Sequence, residues 1–334
     1  MNSTIMKVSR ARTALKLGLE ALGAKPGQSI LLPDYCCDVI LHPLAELGLE
    51  VISYEVFDDL SPDWDKLNNI DAKNVFGIIM VHYFGQPQNI KKFQDYSQAK
   101  GVYLIEDNAH GYGGSYKGKC LGTFGEIGIS SPRKILNIPL GGILYLQNKP
   151  EEIDLNLSLK AEPLHFQLLN FIKCVVYLCR PVYKYLAYRK RRNYDYSDPY
   201  AFKEMVQSNT KISSYEKFII QTAKIENIAK YRRKLWREWS SYLTEQGLRP
   251  VFTDLSENSC PWAIAFYCDD LNQRNSWINW GLVKKLPLFC WPRLPDAQIQ
   301  KKGSAFEKWE KIVCVALNDP PPHPRLKGKC DSEN

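Results

Sequence analysis

The 334 residues contain no C-x-x-C pair, no His-x-x-x-His pair, no G-x-G-x-x-G turn and no G-x-S-x-G elbow. These absences remove the sequence grounds for a zinc site, a dinucleotide-binding turn and a serine-hydrolase nucleophile. The segment GSYKGKC lacks the spacing and the closing Ser/Thr of a phosphate-binding P-loop. Internal repeats and low-complexity blocks are missing as well. Of ten cysteines, only Cys36-Cys37 and Cys174/Cys179 lie close together. No cleavable signal sequence is expected at the start, and free thiols in a reducing cytoplasm are expected. No metal site is expected.

What is present describes an ordinary globular chain: 45% hydrophobic, 12% aromatic and 24% charged residues. That composition excludes a disordered, collagen-like or small disulfide-stapled protein. The net charge of +8 asks for an explanation. Seven basic residues and no acidic one fall between Lys173 and Arg192, so almost the whole excess is one local feature. A nucleic-acid face would spread its basic residues over several elements, so none is expected.

Short apolar runs read as strands at Ser29–Pro33, Val51–Val56, Val75–Val81, Gly101–Asp107, Ile127–Ser130 and Gly142–Leu146. Helical patterns lie at 9–23, Val39–Leu47 and Ile90–Ala99. Continuous apolar strands alternating with helices predict an α/β fold with a parallel sheet buried on both faces. Residues 1–150 form this large unit in the reading. An apolar and basic helical connection follows over 151–208, then a small C-terminal α/β unit over 209–320. Within that unit 213–246 reads as one long amphipathic helix, CPWAIAFYC as a strand and SAFEKWEKI as a helix. Residues 321–334 read as a Pro-rich, polar tail. The tryptophans of the C-terminal half read as core packing, although Trp291 could line a substrate mouth.

Ligands of parallel sheets bind beyond the carboxyl ends of the strands. The strand GVYLIED ends on Asp107, which is either a turn aspartate or a desolvated carboxylate needing a cationic partner. Farther on, IGISSPRKILNIPLGG presents Lys134, which is either a solvated loop lysine or a Schiff-base lysine. Ser130 and Ser131 beside it could hold a phosphate. Arg12 and Thr13, at the start of the first helix, offer an anion a guanidinium, a hydroxyl and backbone N–H groups.

The order of these pieces resembles fold type I pyridoxal-phosphate enzymes, and more closely the DegT-type sugar aminotransferases. The matching segments are ARTALKLGLEALG, PGQSILLPDYCCDVILHPLAELGLEV, VHYFGQPQNI, YLIEDNAHGYGGSYKGKCLGTFGEIGISSPRK and PLGGILYL; SNTKISSYEKFIIQ and WPRLP fit more loosely. The resemblance implies a mostly parallel central sheet, a smaller C-terminal α/β domain and pyridoxal 5'-phosphate as cofactor. It implies that Lys134 carries the cofactor covalently and shuttles protons, and that Asp107 pairs with the pyridine nitrogen. His110 then lies beside the ring, while Ser130 or Ser131, with Thr13 and its backbone, holds the phosphate. Tyr35 is chosen to stack on the ring, and Asn209 to reach the phosphate of a partner subunit. The implied activity moves an amino group from glutamate or a similar donor to a nucleotide-linked keto-sugar, in a homodimer.

Three features depart from the family pattern. A longer segment usually precedes the first helix, Ala11-Arg12 replaces a Gly-Thr pair, and SSPRK replaces the common serine–aromatic–His segment. Arg12 is therefore expected to take a phosphate contact or to fill space otherwise open to substrate. A last feature stands outside the pattern. Residues 164–179 are strongly apolar but short for a bilayer span, and a basic, tyrosine-rich run follows them. This is the composition of a membrane-surface anchor or of a packed insertion. The rival functional readings are another reaction on the same cofactor, such as elimination or dehydration, and a non-catalytic or membrane-peripheral scaffold.

Overall fold

The computed structural model describes residues 3–136, 138–147, 155, 159–201 and 209–322. Most of the expected 321–334 tail, and parts of the 151–208 connection, lie outside these residues. The strands of the first half are β1 (Ser3–Val8), β2 (Ser29–Pro33), β3 (Glu50–Tyr54), β4 (Val75–Val81), β5 (Tyr103–Asn108), β6 (Ser115–Tyr116), β7 (Lys119–Cys120), β8 (Ile127–Ser130) and β9 (Gly142–Gln147). Among them run helices α1 (Ala11–Ala21), α2 (Leu41–Glu46), α3 (Trp64–Asn68) and α4 (Ile90–Lys100).

Seven strands form one sheet in the order β1-β9-β8-β5-β4-β2-β3. Pairing is parallel from β8 through β5, β4 and β2 to β3, and antiparallel at β8-β9 and β9-β1. The central strand VFGIIMV is buried at every position, as the absence of alternation predicted. Asn89 caps α4 by accepting from the Lys92 N–H, and Gly101 ends the helix in the left-handed conformation. The first strand is a finding that the sequence reading lacked. Ser3–Val8 is an edge strand with Ile5 exposed, so it carries little apolar patterning.

The second half contains α5 (Leu164–Leu178), α6 (Arg180–Arg191), α7 (Ser214–Thr222), α8 (Ile225–Glu245), α9 (Leu271–Val283), α10 (Asp296–Lys301) and α11 (Ser304–Lys311). Its strands are β10 (Arg249–Pro250), β11 (Ala263–Tyr267), β12 (Leu288–Phe289) and β13 (Ile312–Ala316), in an antiparallel sheet ordered β10-β11-β13-β12. Trp236 and Trp239 of α8, Ile278 of α9 and Phe266 of β11 form the core on one face of this sheet. The single helix expected over 213–246 is instead two. Ala223 is extended (φ −61°, ψ 127°) and breaks it, with neither proline nor glycine there to announce the break. The turn lets Ile220 and Ala229 join the same cluster as Ile135 and Leu136.

Close backbone approach decides where α1 begins. A Cβ on Gly142 would lie 2.2 Å from the Arg10 carbonyl carbon and 2.6 Å from the Ala11 nitrogen. Backbone cannot yield as a flexible side chain would, so Gly142→Ala should cost about 1–3 kcal/mol. Chemical denaturation should show a lower midpoint at unchanged slope.

Candidate active site

Parallel register brings the two halves of the candidate chemistry to one end of the sheet. β5 pairs with β8 so that Asp107 lies opposite Ile129 and Asn108 opposite Ser130, and the chain then turns through Pro132–Lys134. The end of β5 is locked by its buried neighbour Glu106. This carboxylate accepts from the backbone N–H groups of Gly122 and Phe124, each at 2.6 Å, and pairs with His82 Nε2 at 2.8 Å. His82 Nδ1 accepts from the Gln88 N–H, so its Nε2 carries the proton toward Glu106.

A cavity of about 1460 Å³ opens over this end of the sheet. Arg12, Asp107, His110, Ser131 and Lys134 all line it. Asp107 accepts from the Ala109 N–H at 2.8 Å. Burial raises its pKa, and Lys134 and His82 oppose that rise. His110 is buried and accepts through Nδ1 from the Phe84 N–H at 3.1 Å. Burial and the nearby Lys134 charge push its pKa far down, so it is neutral, with the proton on Nε2. Lys134 Nζ lies 4.6 Å from the centre of the Trp262 ring, a cation–π distance. Trp262 and Trp291 also flank the His110 ring, with centroids at 4.6 and 4.7 Å.

The helix α1 starts at the same cavity, with Arg10, Ala11 and Arg12 in its wall. No side chain caps it at Arg10, and the first turn of a helix presents backbone N–H groups to an anion. The donor set therefore fits pyridoxal phosphate: a lysine, a carboxylate, a neutral imidazole and an anion-accepting helix start face one space.

Other expected residues lie elsewhere. Thr13 is buried and does not line the cavity. Ser130 is also outside its wall; its hydroxyl is turned to Asn108 Nδ2 at 3.2 Å, leaving Ser131 as the cavity serine. Tyr35 is fully buried behind the wall, its hydroxyl donating to the Trp291 carbonyl at 2.5 Å. Cys36 and Cys37 face the cavity in its place. Asn209 is away from this chain's cavity, donating to Glu46 Oε2 at 3.3 Å.

Two cavity residues were not singled out from the sequence. Trp262 has the apolar neighbours of a core tryptophan, and nothing in the sequence announces its contacts with Lys134 and His110. Arg232 is buried and donates to the carbonyls of Ile135, Pro261 and Trp262 and to Asn318 Oδ1. It thereby ties the residue after Lys134 to the segment carrying Trp262. Its position in α8 matches any amphipathic helix, so the sequence held no signal for it.

Residues 2–162 match the model of the DegT/DnrJ/EryC1/StrS aminotransferase family. Over these residues, just under half of the chain, the sequence is similar to that family. GDP-perosamine synthase of Vibrio cholerae is 28% identical over 158 residues, 46% of this chain and 43% of that protein. The dTDP-4-dehydro-2,3,6-trideoxy-D-glucose 4-aminotransferase of Saccharopolyspora spinosa is 27% identical over 144 residues, 42% of this chain and 37% of that protein. The chain thus spans less than half the length of these curated relatives in the match. A solved Streptococcus pneumoniae structure, a sugar-aminotransferase candidate in its PLP form, superposes with a TM-score of 0.66 at 14% identity. It covers 94% of this chain and 81% of that one, which establishes the shared fold type I architecture.

The raised pKa of Asp107 has a consequence for stability. A carboxyl that binds its proton more tightly when folded makes the fold lose stability as pH rises through and above the ordinary carboxylate range. Without cofactor, Asp107→Asn should therefore match the wild type in strong acid and exceed it at neutral pH. Thermal midpoints of the two proteins, measured across that range, should diverge with rising pH.

Proposed function

We propose that the protein is a pyridoxal-phosphate-dependent aminotransferase that moves an amino group from glutamate or a similar donor to a nucleotide-linked keto-sugar. The observation that carries this reading is the convergence of Lys134, Asp107, His110 and the start of α1 on one cavity. Pyridoxal phosphate, when bound, supplies an electron sink for the pair left at the donor Cα when its proton departs.

The chain's own residues would do the rest. Lys134 would hold the cofactor through Nζ and then move the proton of the donor Cα. Asp107, held by Ala109 and backed by Glu106, would pair with the pyridine nitrogen and keep it protonated. A neutral His110 can donate from Nε2 without adding a charge. Arg12, Ser131 and the first turn of α1 would hold the phosphate. Trp262 and Trp291 would exclude water around Lys134.

The charge of the cavity supports an anionic substrate. Nine lysines and arginines line it against three aspartates. Among them Arg232 is bonded only to neutral oxygens, leaving its charge uncompensated at close range. One cofactor phosphate does not match so many cations, whereas a diphosphate-linked sugar adds further anionic charge. The GDP- and dTDP-linked names of the relatives support the same class. In this reading residues 1–150 supply the cofactor site and 209–320 its second wall. The protein works as a cytoplasmic homodimer in polysaccharide or secondary-metabolite biosynthesis, with Asn209 serving the partner's site.

Purified protein mixed with pyridoxal phosphate should develop the visible absorbance band of the bound cofactor, and Lys134→Ala should abolish it. Amino transfer from glutamate to a panel of nucleotide-linked keto-sugars should be lost in the same variant. A wild-type protein that stays colourless with added cofactor overturns the reading.

A further inference from the structure

The helices α5 and α6 expose the wrong side chains for a body in water. Among the described side chains of α5 the buried ones are Asn170 and Cys174, one helical turn apart, while Leu164, Phe166, Leu168, Leu169, Phe171 and Ile172 are exposed. Among the described residues, ten of the eighteen exposed large hydrophobics belong to these two helices, the α6 members being Val182, Tyr185 and Leu186. The remaining eight are scattered singly over the rest of the chain, as is ordinary for a globular surface.

Charge identifies what covers this face. The stretch 163–194 contains seven lysines and arginines and not one aspartate or glutamate. A second copy docked face to face through these helices would set like charges opposite one another. An anionic bilayer offers both an apolar interior for the leucines and phenylalanines and negative headgroups for the exposed Lys173, Arg189 and Arg192, whereas Lys184 and Arg191 turn to the cavity. Spanning is excluded by length: no described helix is long and apolar enough to cross a membrane, and the 15 residues of α5 reach only about 22 Å.

We infer that α5 and α6 form a surface anchor that lies in the interface of an anionic membrane without crossing it. The same element is part of the candidate active site. Lys184, Ala187, Tyr188 and Arg191 of α6 line the cavity, and Lys184 pairs with Asp319 at 2.8 Å. Docking through α5 and α6 therefore sets the cavity beside the headgroup layer. This inference is independent of turnover, since the anchoring residues on α5 touch none of the candidate catalytic groups.

The test uses the full chain and vesicles of phosphatidylcholine with or without phosphatidylglycerol. The protein should sediment with the phosphatidylglycerol vesicles at least tenfold more strongly than with pure phosphatidylcholine, and salt should weaken that binding. Bound vesicles should slow amide hydrogen exchange in 164–192 and leave β4 and β5 unchanged. The variant Leu168→Asp/Leu169→Asp/Ile172→Asp should lose at least tenfold in binding. All three positions are exposed, so its circular dichroism should match the wild type. Failure to bind either vesicle overturns the inference. So does equal binding to both, or a vesicle-independent oligomer that the same triple variant dissociates. Cofactor absorbance of the triple variant reports separately on the catalytic reading.

Discussion

The parallel pairing of β5 with β8 is the contact on which the candidate chemistry depends. It carries Asp107 and the Lys134 turn, separated by the whole glycine-rich excursion between them, to the same edge of the sheet. Glu106 holds that excursion in place by accepting two backbone N–H groups from it while hydrogen-bonded to His82. A buried carboxylate satisfied by three donors is rigid, because releasing any one leaves a desolvated charge under-paired. The residue doing the positioning is thus the immediate neighbour of the residue proposed to do the chemistry.

A second constraint closes the cavity from the other side. Phe84 follows β4 in the left-handed conformation, gives its N–H to His110 and accepts the Trp262 N–H on its carbonyl. Gly85 next to it has φ +92°, and a Cβ there would press on the backbone carbonyls of His110 and Cys260. One tight turn therefore joins the strand that ends beside the site, the imidazole and the segment bearing Trp262. Arg232 completes the same junction from α8. Arg293 and Asp38, a buried ion pair, connect another part of the C-terminal half to the chain that follows β2.

The site also carries an energetic cost that a cofactor would relieve. Asp107 is desolvated and uphill to ionise, His110 is kept neutral, and the cavity holds a surplus of cations. Such an arrangement is unfavourable to an empty protein and suited to an anionic ligand that brings a protonated ring nitrogen. Stability and function are in tension at the same few residues.

Periodicity and composition were enough for six of the seven strands of the large sheet. Unbroken apolar runs such as VFGIIMV and IGIS can only be strands buried on both faces, and three of their expected boundaries coincide with the observed ones. Asp107 was legible as a candidate because it stands near the end of such a run, whereas Lys134, four residues beyond the end of β8, was picked out only by the family resemblance. Ser3–Val8 was not legible, because an edge strand with one exposed side needs little pattern. Nor was the break at Ala223, which packing imposes on a sequence with no helix breaker. Which serine faces the cavity, why Tyr35 withdraws behind its wall, and how Arg232 and Trp262 reach Lys134 depend on side chains far apart in the chain. Local sequence sets the strands and the helix starts; the meeting of those side chains is decided by strand register and by the second half of the chain folding over the first.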